Sequence, residues 1–118
     1  YSCAGHPPIL QISADGEIIR HHQGGAMIGI GSLGGTRQEG EGRLKRGDRL
    51  FFYTDGIIES EDNHGNPYGL DRLEQFLCAG AHLDLDTLSA HVMNDLATFS
   101  DNQPYLDDIT LLATSLWE

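Results

Sequence analysis

Two aspartates stand beside apolar runs in this chain of 118 residues. Tyr53-Thr54-Asp55-Gly56 follows Leu50-Phe51-Phe52, and Asp107-Asp108-Ile109-Thr110 opens Leu111-Leu112-Ala113. A carboxylate at the margin of a hydrophobic core is costly unless something pairs with it. Two of them, 52 positions apart and each at a strand end, suggest a shared cation. Hard divalent ions such as Mg²⁺ and Mn²⁺ take oxygen ligands of this kind. Gly56 suits the same reading, because a missing Cβ lets backbone come close to an ion. Read on spacing alone, such aspartates are more often turn or cap residues than ligands, and the flanking apolar runs bring the two readings level.

The elements that must position them follow from the apolar pattern. Pro8 to Ser13, Asp15-Gly16 and Glu17 to Arg20 predict a β-hairpin with a tight primed turn. Residues 24–35 are Gly-rich and predict loop, and Arg37 to Leu44 is a polar strand candidate. Lys45-Arg46-Gly47-Asp48 is a turn feeding a strand from Arg49 to Thr54. That strand is apolar on both faces, so it is expected inside a sandwich, with Phe52 in the core. Leu70, Leu73, Phe76 and Leu77 share one helical face, and Gly80 is a plausible stop. Leu85, Leu88, Val92, Leu96 and Phe99 predict a second amphipathic helix, capped by Asp84 or Asp86. A closing strand is expected over 109–116. Strands, then two helices, then a strand indicate an α+β layered fold with antiparallel pairing.

Composition narrows the function. Seven Lys and Arg face 18 Asp and Glu, a formal charge of -11. Such a chain repels phosphate backbones and anionic surfaces, which argues against nucleic-acid and membrane roles. No stretch approaches the ~20 apolar residues that span a bilayer. Cys3 and Cys78 match no zinc or redox spacing and read as reduced, cytoplasmic core residues. The chain opens at Tyr1, without Met and within a strand pattern, as a segment cut from something longer would.

Other motifs fail on mechanism. Gly29-Ile30-Gly31-Ser32-Leu33-Gly34 spells a dinucleotide fingerprint, but a poor helix opener follows it, so a loop is expected. Asp62-Asn63-His64-Gly65-Asn66-Pro67 would put Pro67 where a calcium loop needs glycine, and reads as a surface turn. His6 is either a substrate-facing residue or a hydrogen-bonded turn histidine. There is no GxSxG elbow, no HExxH and no activated cysteine.

Five segments in order carry a family resemblance. They are Ala4-Gly5-His6-Pro7-Pro8, Gly47-Asp48-Arg49-Leu50, Tyr53-Thr54-Asp55-Gly56 with Glu59, Tyr68-Gly69-Leu70 with Arg72-Leu73, and Asp107-Asp108-Ile109-Thr110. Together they resemble the metal-dependent serine/threonine phosphatases of the PPM, or protein phosphatase 2C, type, and the bacterial SpoIIE/RsbU branch in particular. The resemblance implies a layered sandwich of antiparallel β-sheets flanked by helices, with two Mn²⁺ or Mg²⁺ ions at one end. It implies hydrolysis of phosphoserine or phosphothreonine by metal-activated water. Asp55 and Asp107 match metal ligands, and through them act in catalysis. Gly56 and Asp108 match supporting positions. By resemblance, the substrate is a phosphorylated STAS-type anti-sigma-factor antagonist, and a sensor or receiver domain lies upstream. The family's first metal-binding Asp and its Gly-His-Gly segment have no counterpart here. Residues 1–118 are therefore expected to be the C-terminal half of the domain, inactive alone. The alternative is a phosphatase-like interaction module without chemistry.

Overall fold

The computed structural model describes residues 1–22, 24–25 and 39–116. Its centre is an antiparallel sheet of four strands: β2 (Ile9–Ile12), β3 (Ile18–His21), β5 (Arg49–Tyr53) and β6 (Leu111–Ser115), in the order β3-β2-β5-β6. β1 (Cys3–Ala4) and β4 (Gly24–Gly25) form a separate two-residue parallel pair. Three helices follow β5: α1 (Asp55–Ile58), α2 (Leu70–Ala79) and α3 (Leu85–Phe99). The α+β layered architecture with antiparallel pairing is thus present.

The hairpin forms as expected, with Ile12 opposite Ile18, but its turn differs. Gly16 N–H donates to the Ser13 carbonyl at 2.9 Å, and only Gly16, at φ 83°, is left-handed. The loop is therefore a three-residue turn closed by a left-handed glycine, not a two-residue primed turn, which needs two positive φ angles in type I′. Residues 39–44 form no strand; Glu39 makes only an isolated bridge to Ser2. Gly24–Gly25, expected in loop, pair with β1, and Gly29 to Gly34 lie outside the described residues. The closing strand is shorter than expected, Leu111–Ser115.

Strand alternation decides which side chains meet the helices. Phe51 and Tyr53 lie on the same face as Leu10 and Ile12, and all four are buried with Leu73, Leu77, Leu88, Val92 and Leu96 of α2 and α3. Leu50 and Phe52 point to the opposite face and are only half-buried. They border a hollow of about 500 Å³ with Ile9, Gln11 and Leu44. The expectation that Phe52 is core is corrected: in this register Phe51 takes that place. On that same second face Ile19 is 46% exposed and Leu112 59%, so one apolar side of the sheet is open among the described residues.

Both long helices obey their sequence signals. Asp84 caps α3, its carboxylate accepting from Thr87 N at 2.8 Å and Thr87 Oγ1 at 2.7 Å. Gly80 ends α2, and a Cβ there would come within 2.4 Å of Leu88, so the glycine also lets α3 pack close. Arg72 clamps the pair, donating twice to Asp95 at 3.0 and 2.9 Å while Tyr68 OH donates to the same carboxylate at 2.7 Å. The guanidinium holds the Asp95 carboxyl below its ordinary value. It also lies over the Phe99 ring at 4.7 Å, so its charge is used twice. Arg20 of β3 reaches Asp71 and Glu74 of α2, tying the hairpin to the helical layer.

Candidate metal centre

Thr54 joins the two aspartate segments. β5 and β6 pair from Arg49↔Ser115 to Tyr53↔Leu111. Beyond that ladder, Thr54 N–H donates to the Thr110 carbonyl at 3.1 Å. Its hydroxyl accepts from Thr110 N–H at 3.0 Å and donates to the Asp108 carbonyl at 3.0 Å. Because the Thr54 side chain is occupied across the sheet, it makes no cap bond to α1, although Thr54 is the N-cap residue.

Gly56 tightens the junction. A Cβ on it would stand 2.4 Å from the Asp108 carbonyl oxygen and 3.3 Å from Ile109. Non-bonded heavy atoms do not come that close, so only glycine permits this approach. Gly56→Ala must push the Asp107-Asp108 segment away. It is expected to lower stability by about 1–3 kcal/mol. A thermal unfolding midpoint equal to wild type would contradict the close approach.

The predicted site residues therefore sit around one junction. Asp55 opens α1 and is exposed; Gly56 is buried against Asp108; Asp107 and Asp108 are exposed on the facing segment. Asp107 Oδ1 accepts from Asp108 N at 2.7 Å, which orients that carboxylate; its second oxygen has no hydrogen-bond partner among the described residues. Asp107 and Gly56 line a common hollow of about 300 Å³ with Glu59. The ion pairs among the described residues use Arg20 and Arg72, and neither Asp55 nor Asp107 belongs to one. Burial pushes the phenol of nearby Tyr53 up to about 12, so it stays neutral at neutral pH.

Sequence alone assigns Thr54 no role within its motif, and the short helix α1 is not among the helices expected from apolar spacing. A threonine before one aspartate matters only when the partner segment lies beside it, which needs the β5–β6 register. His6 takes the turn reading, its Nδ1 lying 2.7 Å from the Pro7 carbonyl. Asp62 accepts from His64 N, Asn66 N and Asn66 Nδ2 at 2.8, 2.9 and 3.0 Å, so its carboxylate is spent inside its own turn.

Residues 1–116 match the sequence profile of a family described as Stage II sporulation protein E (SpoIIE). The chain belongs to the SpoIIE family. Solved structures agree on the fold. The SiaA-PP2C domain of Pseudomonas aeruginosa is 23% identical with a TM-score of 0.81, over 94% of this chain and 44% of that one. The RsbU and RsbW domains of a Mycobacterium tuberculosis protein are 32% identical with a TM-score of 0.73, over 99% and 32%. The SpoIIE phosphatase domain of Bacillus subtilis, Mn presoaked, is 18% identical with a TM-score of 0.70, over 99% and 55%. This chain thus spans from about a third to just over half of those chains. Comparison with curated proteins returned no match.

Within the SpoIIE family the other shared segments gain physical roles. Asp48 of Gly47-Asp48-Arg49-Leu50 is 4% exposed and holds the turn before β5. Its Oδ2 accepts from Lys45 N at 2.8 Å and from Gln11 Nε2 at 2.7 Å, and Gly47 is left-handed at φ 91°. Tyr68 and Arg72 make the α2–α3 clamp. These motifs build the frame, and the Thr-Asp-Gly and Asp-Asp-Ile-Thr motifs form the junction.

The donors at the junction are hard carboxylate oxygens, which suit Mg²⁺ or Mn²⁺. Among the described residues no group of three or more His, Cys, Asp or Glu could hold an ion. Asp55 and Asp107 are donors of that kind on the two sides of the junction, fewer than such an ion takes. No helix among the described residues is long and apolar enough to cross a membrane.

Proposed function

We propose that this chain is the C-terminal half of a metal-dependent phosphatase domain that hydrolyses phosphoserine or phosphothreonine on a bacterial signalling protein. The observation that carries it is the Thr54 junction, which joins the segments of Asp55 and Asp107 beyond the paired ends of β5 and β6 in a SpoIIE-family fold. The open apolar face of the sheet, with Leu50, Phe52 and Leu112, supports the half-domain reading, because a second sheet would cover it.

Asp55 and Asp107 would hold Mn²⁺ or Mg²⁺, two ions in the complete domain. Bound there, such ions lower the pKa of a water and neutralise charge building on the phosphoryl oxygens. Thr54 holds the two backbones at a set spacing, Gly56 allows their contact, and Asp108 supplies the carbonyl that Thr54 grips. The metals also matter for affinity, since a chain with a formal charge of -11 repels a phosphate. The substrate on this reading is a phosphorylated STAS-type anti-sigma-factor antagonist, encountered in the cytoplasm, with a sensor or receiver domain upstream.

The full-length protein should release phosphate from a phosphoserine peptide with Mn²⁺ or Mg²⁺ and lose that turnover with a chelator. The isolated chain should show none, because two carboxylates hold two divalent ions poorly. A full-length protein that is inert with either metal would favour the alternative, an interaction module. The small donor set among the described residues is the observation on that side.

A further inference from the structure

The loop between α3 and β6 ends on the candidate ligand Asp107 and has a shape of its own. Asp101 and Asn102 are consecutive left-handed residues, at φ 52° and 54°. Such backbone is costly for residues with a Cβ and persists only where surrounding contacts impose it. Those contacts are present: Asn102 N donates to the Ala97 carbonyl at 2.8 Å, and Asn63 Nδ2 donates to Asp101 at 2.9 Å. The held loop then presents Tyr105, 40% exposed, and Leu106, 83% exposed, at the surface immediately before Asp107.

Two adjoining hollows, about 300 and 370 Å³, meet at Ser60, Glu61 and Leu106. The first contains Asp107 and Glu59; the second runs on to Tyr105. Together they form one trough leading away from the junction, with apolar side chains and carboxylates along it. No Lys or Arg lines either hollow among the described residues. Tyr105 and Leu106 form the exposed apolar flank of this trough, next to its carboxylates.

We propose that this trough seats an extended segment of the phosphoprotein substrate, with an apolar side chain against Tyr105 and Leu106 and a Lys or Arg against Glu59 and Glu61. The inference rests on the phosphatase reading above and adds its selectivity. Charge complementarity argues for the basic residue: uncompensated carboxylates repel the phosphate but attract a cation beside it. Continuity with Asp107 places the segment where the phosphoryl group would enter the site.

The test uses the full-length protein with Mn²⁺, as wild type, Leu106→Ser and Glu61→Lys. Three probes are compared: a phosphoserine peptide flanked by Leu and Lys, the same peptide with both flanks changed to Gly, and p-nitrophenyl phosphate. Wild type should prefer the flanked peptide. Each variant should lose roughly tenfold more kcat/KM on that peptide than on the aryl phosphate, mostly through KM, as for one lost side-chain contact. Equal losses on all three probes would mean a structural role and overturn the proposal, as would no loss or no wild-type preference. Turnover of none of the probes by wild type would instead sink the phosphatase reading, and this inference with it.

Discussion

Asp55→Asn or Asp107→Asn in the full-length protein is expected to abolish metal-dependent phosphatase turnover, by roughly 10²-fold or more, with little change in melting temperature. Metal stabilisation of transition-state charge is worth several kcal/mol, and each 1.36 kcal/mol is tenfold in rate. Stability should hold because neither side chain packs in the core; both are exposed. Asn can also keep the bond that Asp107 makes to Asp108, since its Oδ1 still accepts from Asp108 N. The competing reading of these residues as turn or cap aspartates predicts intact turnover in both variants, since Asn fills such positions as well as Asp. Steady-state kinetics and a melting curve on both variants separate the two. Near wild-type activity in both would remove the assignment.

Phe51→Ala is expected to cost about 3–5 kcal/mol, the range for emptying a buried aromatic site. The ring is 0% exposed, on the face where β2 and β5 meet the two long helices. Denaturant unfolding of the full-length protein measures the loss. A cost below about 1 kcal/mol would mean that the core is elsewhere. Phe52 serves as the comparison, because it points from the same strand to the open face. If Phe52→Ala costs as much in the full-length protein, a second layer covers that face there, as the half-domain proposal requires.

The comparison of these neighbours shows what could be read from the sequence. Leu50-Phe51-Phe52 announced a strand, and Asp48 with Gly47 announced the turn before it. The run could not say which ring is buried, because it is apolar at both parities of a period-2 element. The choice comes from the partners: Leu10↔Phe51 and Phe51↔Ala113 put Phe51 under the helices. Helical faces were easier. Spacings of three and four in Leu88, Val92 and Leu96 leave only one side to bury, and those three are buried. The hairpin turn was half-legible, since Asp15-Gly16 marked the place but not whether one or two residues would be left-handed.

At the candidate site the limit was sequence distance. Asp55, Gly56, Asp107 and Asp108 could be singled out by type and neighbours, and their motifs resembled a family to which the chain belongs. Thr54 could not be weighted, because its partners Asp108 and Thr110 lie 54 and 56 positions away. Arg20 bonding to Glu74, 54 positions on, was invisible for the same reason.

Residue type and local periodicity, which act over a few bonds, were enough to place the four strands of the central sheet and the two long helices, to narrow the α3 cap to Asp84 or Asp86, and to single out the acidic residues. Strand register, the buried ring, the two-residue parallel pair and the Thr54 junction were decided only by the tertiary structure. They depend on which distant segments pair, and a hydrogen bond between strands carries no trace in the sequence of either one alone.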